Sequence, residues 1–251
     1  MSASVTTDVI LLAVVVFLLA GTVKGVLGIG LPTISISMLA QFVDPRVAIA
    51  FLLLPALITN TWQIYRGGQV IRSVKKLWPF VSTMSVVLFI SSLFAARASS
   101  KILVLGIGIM VVLWTITSLI RRPPSIPPHL DRPVQFALGV LSGVMGGLTA
   151  IWSPPMVIYL LSSKCDKEDF VRFTGFMILC GTVPLVSGYL LNGLLDKKLA
   201  FVSLLMIIPT LIGFSVGEYL RRFLRGQQFQ RAVLVLFFLM GLNLIRRSFI
   251  L

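Results

Sequence analysis

Residues 24–32 read KGVLGIGLP, and they interrupt an apolar run that extends from residue 9 to residue 43. A run of about 35 residues is too long for one membrane-spanning helix, which needs about 17–25 residues, and too short for two full spans joined by a loop. Because the glycines and Pro32 disfavour a continuous helix, this stretch predicts a pair of short or broken helices. Their unwound junction would lie at membrane depth, where only protein or a polar cavity can satisfy the backbone.

A second long apolar run, at residues 134–163, repeats this plan. It contains GVMGG at residues 143–147 and WSPP at residues 152–155. The remaining apolar runs have the length of single spans and cover residues 47–65, 77–96, 102–120, 170–191, 199–217 and 232–245. Each half of the chain therefore contains one broken pair followed by three full spans.

The two halves are predicted to be inverted repeats. Residues 1–122 form the N-terminal transmembrane repeat, residues 123–133 a proline-rich linker, and residues 134–251 the C-terminal transmembrane repeat. Whether a broken pair spans the membrane or re-enters is open, but in both cases each half crosses an odd number of times, which places the halves in opposite orientations. The predicted fold is an all-α polytopic membrane protein of about eight to ten helical segments, in which each inverted repeat has a broken helix pair plus three transmembrane helices.

The composition agrees with a membrane protein. Of the 251 residues, 57% are apolar even without glycine and 12% are charged, whereas soluble domains average about 45–50% apolar with glycine included and about 25% charged. The 22 Lys and Arg against 8 Asp and Glu give a net charge of +14. Because these basic residues cluster between apolar runs, they indicate cytoplasmic loops and not a nucleic-acid-binding surface.

The distribution of Lys and Arg predicts the orientation in the membrane. Fourteen fall on one predicted side: Arg66, Arg72, Lys75, Lys76, Arg121, Arg122, Arg132, Lys164, Lys167, Arg172, Arg221, Arg222, Arg225 and Arg231. Seven fall on the other: Arg46, Arg97, Lys101, Lys197, Lys198, Arg246 and Arg247, with Lys24 assigned to neither. By the positive-inside rule the first side is cytoplasmic, so we expect a multi-pass protein of the cell (inner) membrane with both termini outside.

The sequence contains little that an enzyme needs. It has one histidine, His129, and its two cysteines, Cys165 and Cys180, lack metal-ligand spacing. The few acidic residues lie at the edges of apolar runs, and the phosphate-binding pattern GxxxxGK[ST] does not occur. We therefore predict no enzyme activity, no catalytic or metal-binding residue and no cofactor. The expected partners are a small anion and membrane lipid, with no nucleic acid, and the oligomeric state stays open.

Both junctions have features of a small-anion site. A helix that begins inside the membrane presents unpaired N–H groups and the positive end of its dipole, and glycine lets an oxyanion approach that backbone. Pro32 suits the first turn of such a helix, while Ser153 and Pro154 suit its N-cap and first position. Close packing between helices is the alternative explanation. The candidate substrate contacts at the junctions are Gly28, Gly30, Pro32, Gly146, Gly147, Trp152, Ser153 and Pro154.

Polar residues near the junctions add to this site. Lys24 would supply the counter-charge of an anion, unless the first helix ends there and the side chain extends to the interface. Asn60 and Gln63 are three residues apart on one helix face, so both amides would reach one ligand or, alternatively, bond to a neighbouring helix. Trp152 either lines the site or anchors the chain at the membrane interface.

The pattern of glycines and proline resembles that of a known family. Gly25-x-x-Gly28-x-Gly30-x-Pro32, repeated in altered form within residues 143–154, is similar to the TauE/SafE sulfite exporters. This resemblance implies a multi-pass permease for sulfur-containing anions such as sulfite and sulfonates. The first junction lacks the run of three adjacent glycines that is common in the family, and the second carries an insertion before its prolines, which leaves the substrate open.

We therefore expect a secondary transporter that moves a small sulfur-containing anion, such as sulfite, thiosulfate or an organosulfonate, by alternating access. Export is the expected direction, because an inside-negative membrane potential favours outward movement of an anion. A permease for another small solute and a membrane scaffold subunit without transport activity are the alternatives.

Overall fold

The computed structural model describes residues 6–95, 97–119, 124–163, 165–221, 223 and 226–250. Within these residues the chain is helical and contains no strand. The helices are α1 (Thr7–Leu27), α2 (Leu31–Leu39), α3 (Pro45–Gly67), α4 (Val70–Ala95), α5 (Ser100–Leu119), α6 (Asp131–Thr149), α7 (Ser153–Ser162), α8 (Lys167–Leu191), α9 (Lys197–Leu205), α10 (Ile207–Leu220) and α11 (Gly226–Ser248), with a 3-10 turn at Pro128–Leu130.

Six segments of the described chain are long and apolar enough to cross a membrane. They are Thr7–Leu27, Pro45–Gly67, Val70–Ala95, Ser100–Ser118, Glu168–Leu191 and Lys197–Leu220, the last of which contains both α9 and α10. Large apolar side chains such as Leu11, Val86 and Ile102 are exposed on their outer faces, where lipid tails provide an apolar surrounding. The predicted all-α polytopic membrane fold is therefore confirmed.

Both predicted helix breaks are present. α1 ends at Gly28, and Gly28 (φ +79°) and Gly30 (φ +108°) adopt left-handed backbone conformations that a side chain would strain. α2 then begins at Leu31 with Pro32 in its first turn, where proline costs no helical hydrogen bond. In the second half, Ala150 (φ +55°) ends α6 before α7 begins.

The first helix of each pair packs closely along a helix from the other half of the chain. Gly21 of α1 lies against Thr210 of α10, and Gly25 lies against Phe214, so the two helices run parallel. A Cβ atom on either glycine would overlap the α10 backbone. α6 packs along α4 in the same way, through glycines such as Gly139. Small residues thus bring helices of the two halves into backbone contact.

Each pair is a hairpin and not a continuous span. Lys24 contacts Asn60 and Gly28 contacts Gln63, so α1 runs parallel to α3. α2 starts beside that junction and ends just before α3 begins at Pro45, so it runs in the opposite direction. The second pair is folded in the same way, since a hydrogen bond joins the end of α7 to the start of α6.

The described basic residues separate into two groups. We call the end of the bundle where α3 and α10 end and α4, α6 and α8 begin the basic end; it carries Arg66, Arg72, Lys75, Lys76, Arg132, Arg172 and Arg221. The opposite end carries Arg46, Arg97, Lys101, Lys197, Lys198, Arg246 and Arg247. Arg121, Arg122, Lys164, Arg222 and Arg225 lie outside the described residues, as do the side chains of Lys167 and Arg231. Which side of the membrane each end faces stays a prediction.

Several helices extend beyond the predicted apolar runs; α4, for example, begins at Val70 and not at residue 77. α6 begins at Asp131 and not at residue 134, because an acidic residue and a proline are both favourable in a first turn. Residue 123 of the predicted linker lies outside the described chain, and the division of the chain into two repeats and a linker stays a prediction. The predicted run 199–217 is divided between α9 and α10, because Pro209 lacks a backbone N–H and its ring displaces the carbonyl group of Leu205, where α9 ends.

The close contact of α1 with α10 predicts that Gly213→Ala destabilises the protein. A Cβ atom at Gly213 would overlap the carbonyl oxygen of Leu18, and overpacking of this kind costs about 1–3 kcal/mol. We expect a lower midpoint of thermal unfolding for the purified protein in detergent. Gly67→Ala is the control, because its added Cβ would meet Arg172 at 3.5 Å, an ordinary contact distance. Equal midpoints for the two variants would contradict this packing.

Candidate functional site

A cavity opens at the basic end of the bundle and extends to Lys24. Its volume is about 330 Å³, and its walls come from α1, α3, α8 and α10. It is lined by Lys24, Gly25, Gly28, Trp62, Gln63, Arg66, Gly67, Glu168, Val171, Arg172, Phe214, Glu218 and Arg221. Four of these side chains are basic and two are acidic, so the walls favour an anion over a cation.

Lys24 projects from α1 into the interior of the bundle. The residue is 1% exposed, and its Nζ donates hydrogen bonds to Asn60 Oδ1 at 2.5 Å and to Thr59 Oγ1 at 3.1 Å. Asn60 precedes Gly67, the last residue of α3, by seven residues, which is about 10 Å of helix. The first helix does end near Lys24, at Leu27, but the ammonium group stays among side chains of α3 and does not extend to the end of the bundle.

A proline inside α3 helps to position the two partners of Lys24. Pro55 cannot donate to the carbonyl oxygen of Phe51, and that oxygen instead accepts a hydrogen bond from Ser203 Oγ of α9 at 3.0 Å. One turn later, Thr59 Oγ1 donates to the carbonyl oxygen of Pro55 at 2.8 Å. Asn60 Nδ2 donates to the carbonyl oxygen of Ala56, one turn earlier, at 2.7 Å. These bonds leave Asn60 Oδ1 and a lone pair of Thr59 Oγ1 for the ammonium group.

Gln63 connects the first junction to α8. Its Nε2 donates to the carbonyl oxygen of Gly28 at 3.3 Å and to that of Val171 at 2.6 Å. The side chain packs on Gly175, where a Cβ atom would come within 3.0 Å of the Gln63 amide carbon. Gln63 thus satisfies a carbonyl group that the helix break leaves free. Its own Oε1 is buried without a hydrogen-bond partner.

Ion pairs surround the mouth of the cavity. Arg66 of α3 bonds to Glu218 of α10 at 2.8 Å, while Arg172 and Arg72 bond to Asp169 of α8 at 2.5 and 3.0 Å. The sequence did not single out these residues as site residues, because charges at span ends look alike whether they border a cavity or the membrane interface. The sequence feature that could have identified them as site residues is their position near the first junction, on the side of the membrane that is richer in Lys and Arg.

Gly30 and Pro32 lie behind the lining of the cavity. Gly30 is the N-cap of α2, and its carbonyl oxygen accepts a hydrogen bond from the amide of Ile34 at 2.9 Å. Pro32 occupies the first turn of α2, as predicted, and is buried. Together they hold the turn in which Gly28 reaches the cavity. Direct contact of Gly30 and Pro32 with a substrate stays a prediction.

The second junction lies apart from this cavity lining. Gly146 and Gly147 pack against α4, and the ring of Trp152, which is 2% exposed, lies on Gly181 of α8. Trp152 is therefore buried in the bundle, and it takes the N-cap position of α7 that was predicted for Ser153. The adjacent Pro154 lies in the first turn, as predicted. A role of these residues in binding stays a prediction.

The site offers hydrogen-bond donors that suit an oxyanion. These are the Lys24 ammonium group and the guanidinium groups of Arg66, Arg172 and Arg221. Across the described part of the chain, no group of three His, Cys, Asp or Glu side chains lies close enough to hold a metal ion.

Comparison with known protein families agrees with this architecture. A family model described as sulfite exporter TauE/SafE matches residues 13–244, which include both junctions and the residues that line the cavity. Neither the comparison with curated proteins nor that with solved structures finds a match. Because the match extends over most of the 251 residues, the resemblance in the glycine and proline pattern is confirmed. The chain belongs to the TauE/SafE sulfite exporter family, whose members are multi-pass membrane transporters and not enzymes.

Proposed function

We propose that the protein is a secondary transporter that exports a small sulfur-containing anion, such as sulfite, thiosulfate or an organosulfonate, by alternating access. The observation that carries this proposal is the cavity that leads from the basic end of the bundle to Lys24. The family supplies the class of substrate. The charge of the cavity and the buried ammonium group explain why an anion would enter and stay.

The arginines at the mouth would attract the anion. Basic walls raise the local concentration of anions and guide them into a cleft. Arg66 and Arg172 are already held by Glu218 and Asp169, so they present guanidinium groups in fixed positions. An anion entering between them would compete with these carboxylates for hydrogen bonds. Competition of this kind favours release as well as capture, which a transport site requires.

Lys24 would bind the anion at the inner end of the cavity. An ammonium group has three N–H donors, and Asn60 and Thr59 take two of them. The third is available to an oxyanion that reaches the lining. Because the two neutral partners already orient the ammonium group, little freedom is lost when the anion binds.

Alternating access would move units that do not coincide with the halves of the sequence. In the inverted-repeat scheme, residues 1–122 and 134–251 are the two repeats. The contact of α1 with α10 and that of α6 with α4 are, however, too close to separate without breaking glycine-mediated backbone packing. Each moving unit would therefore contain the hairpin of one repeat and a long helix of the other.

The membrane potential would drive export. The basic end would face the cytoplasm by the positive-inside rule, so the cavity would take its anion from inside an inner cell membrane, and both termini would lie outside. Outward movement of an anion from an inside-negative cell is downhill by about 2.3 kcal/mol per charge per 100 mV. Export by this route needs no cofactor, and the partners are the anion and membrane lipid.

Flux from liposomes tests the function and the role of Lys24. The purified protein is reconstituted into liposomes loaded with sulfite, thiosulfate, sulfoacetate or taurine, and efflux is measured. Lys24→Met keeps an unbranched side chain one atom shorter and removes the charge. Loss of a charged hydrogen bond worth about 1.5–3 kcal/mol predicts a fall in flux of at least about tenfold.

Lys101→Met is the matched control, because Lys101 is exposed at the opposite end. It should leave flux unchanged. Unchanged flux of Lys24→Met, with an unfolding midpoint like that of the wild type, would remove Lys24 from the site. If the folded wild type released none of the anions, the proposed function would be wrong.

The dependence of flux on membrane potential is a second prediction. With a potassium ionophore setting the potential, efflux of a singly charged anion should accelerate as the lumen becomes more negative, because the anion carries its charge across the membrane. The same anion in liposomes clamped at zero potential is the control. Equal rates at both potentials would contradict uncompensated anion export.

A further inference from the structure

We propose that the site accepts its sulfur oxyanion as the singly protonated form, hydrogensulfite, and that Gln63 accepts a hydrogen bond from it. This inference rests on the proposed transport function and names the form of the substrate. It derives from one acceptor and one donor that the protein itself leaves unused at the same cavity.

The unused acceptor is Oε1 of Gln63. The residue is 7% exposed, lines the cavity, and has no hydrogen-bond partner for this oxygen. Both amide hydrogens are oriented by the carbonyl oxygens of Gly28 and Val171. Exchanging the amide nitrogen and oxygen would place two carbonyl oxygens against Oε1, so the side chain cannot satisfy itself by rotation. A buried acceptor of this kind selects a ligand that carries a hydrogen.

The unused donor is the third N–H of Lys24, since Asn60 and Thr59 take the other two. Asn60 and Gln63 lie on one face of α3, and a separation of three residues is about 4.5 Å along the helix. The residues that carry the free donor and the free acceptor both line the cavity, and the partner of the donor lies about one helical turn from Gln63. Such a ligand would accept a hydrogen bond from Lys24 with a charged oxygen and donate one to Gln63 through its own hydrogen.

The charge at this depth also favours a monoanion. Lys24, in the last turn of α1, is 1% exposed, whereas the side chains of Arg66 and Arg172 are 57% and 14% exposed. One ammonium group neutralises one negative charge. A dianion such as thiosulfate would leave a net negative charge in a region of low dielectric, which is unfavourable.

A comparison of sulfite with methanesulfonate tests the inference on the wild-type protein. Methanesulfonate is a monoanion with the same sulfonyl oxygens, but it has no hydrogen to donate. In mildly acidic buffer, where hydrogensulfite predominates, we expect its flux to exceed that of methanesulfonate by about tenfold, equivalent to about 1.4 kcal/mol. In mildly alkaline buffer, where sulfite loses this hydrogen and becomes a dianion, the ratio should fall to one or below.

Methanesulfonate also reports changes in the protein itself, because its charge is constant over this pH range. The charged groups that face the cavity would affect both monoanions alike. They are Lys24 of α1, Arg66 of α3, Glu168 and Arg172 of α8, Glu218 of α10, and Arg221, which follows α10.

Gln63→Met removes the acceptor and keeps a similar side-chain volume. In mildly acidic buffer this variant should bring the flux ratio of hydrogensulfite to methanesulfonate close to one. The pH comparison uses the wild type alone, so it tests the inference even if the variant does not fold. Equal wild-type fluxes of the two anions at both pH values would overturn the role of Gln63 while leaving anion transport standing. Absence of both fluxes would overturn the transport function with it.

Discussion

Every backbone carbonyl and amide group at membrane depth must find a partner within the protein, and the site depends on how this requirement is met where the helices are interrupted. At the first junction the carbonyl oxygen of Gly28 accepts a hydrogen bond from Gln63, which also bonds to α8. At Pro55 the freed carbonyl oxygen of Phe51 accepts from Ser203 of α9. The interruption at Pro55 is therefore closed by a helix of the other half, and the side chain that closes the interruption at Gly28 is itself bonded to the other half through Val171.

The positive charge of Lys24 inside the bundle is hydrogen-bonded to neutral side chains and not to a carboxylate. Asn60 and Thr59 orient the Lys24 ammonium group without neutralising it, whereas the arginines Arg66 and Arg172 at the mouth have carboxylate partners. A buried cation paired with a carboxylate would offer an anion little net attraction. The positive charge that remains uncompensated lies at the inner end of the cavity, which is where a bound anion is most shielded from water.

Much of the fold could be predicted from the sequence, since glycines and prolines in overlong apolar runs indicate helix breaks whatever surrounds them. The direction of the chain after a break could not be predicted, because it depends on tertiary partners: the turn between α1 and α2 is bonded to Gln63, on a separate helix. The same limit applies to the site. Lys24, Asn60 and Gln63 stood out as polar residues in apolar runs, but Arg172 and Glu218 had the pattern of ordinary interfacial charges.

The two junctions share a sequence plan but differ in the residues that flank their glycines. At the first junction, Lys24 precedes a turn that contains Gly28 and Gly30, and polar side chains line the cavity beside this turn. At the second, the indole of Trp152 fills the space between Gly146 and Gly181. Glycine therefore serves close helix packing at the second junction and the left-handed turn at Gly28. The two hairpins thus form one polar cavity beside the first junction, while the indole of Trp152 packs the second.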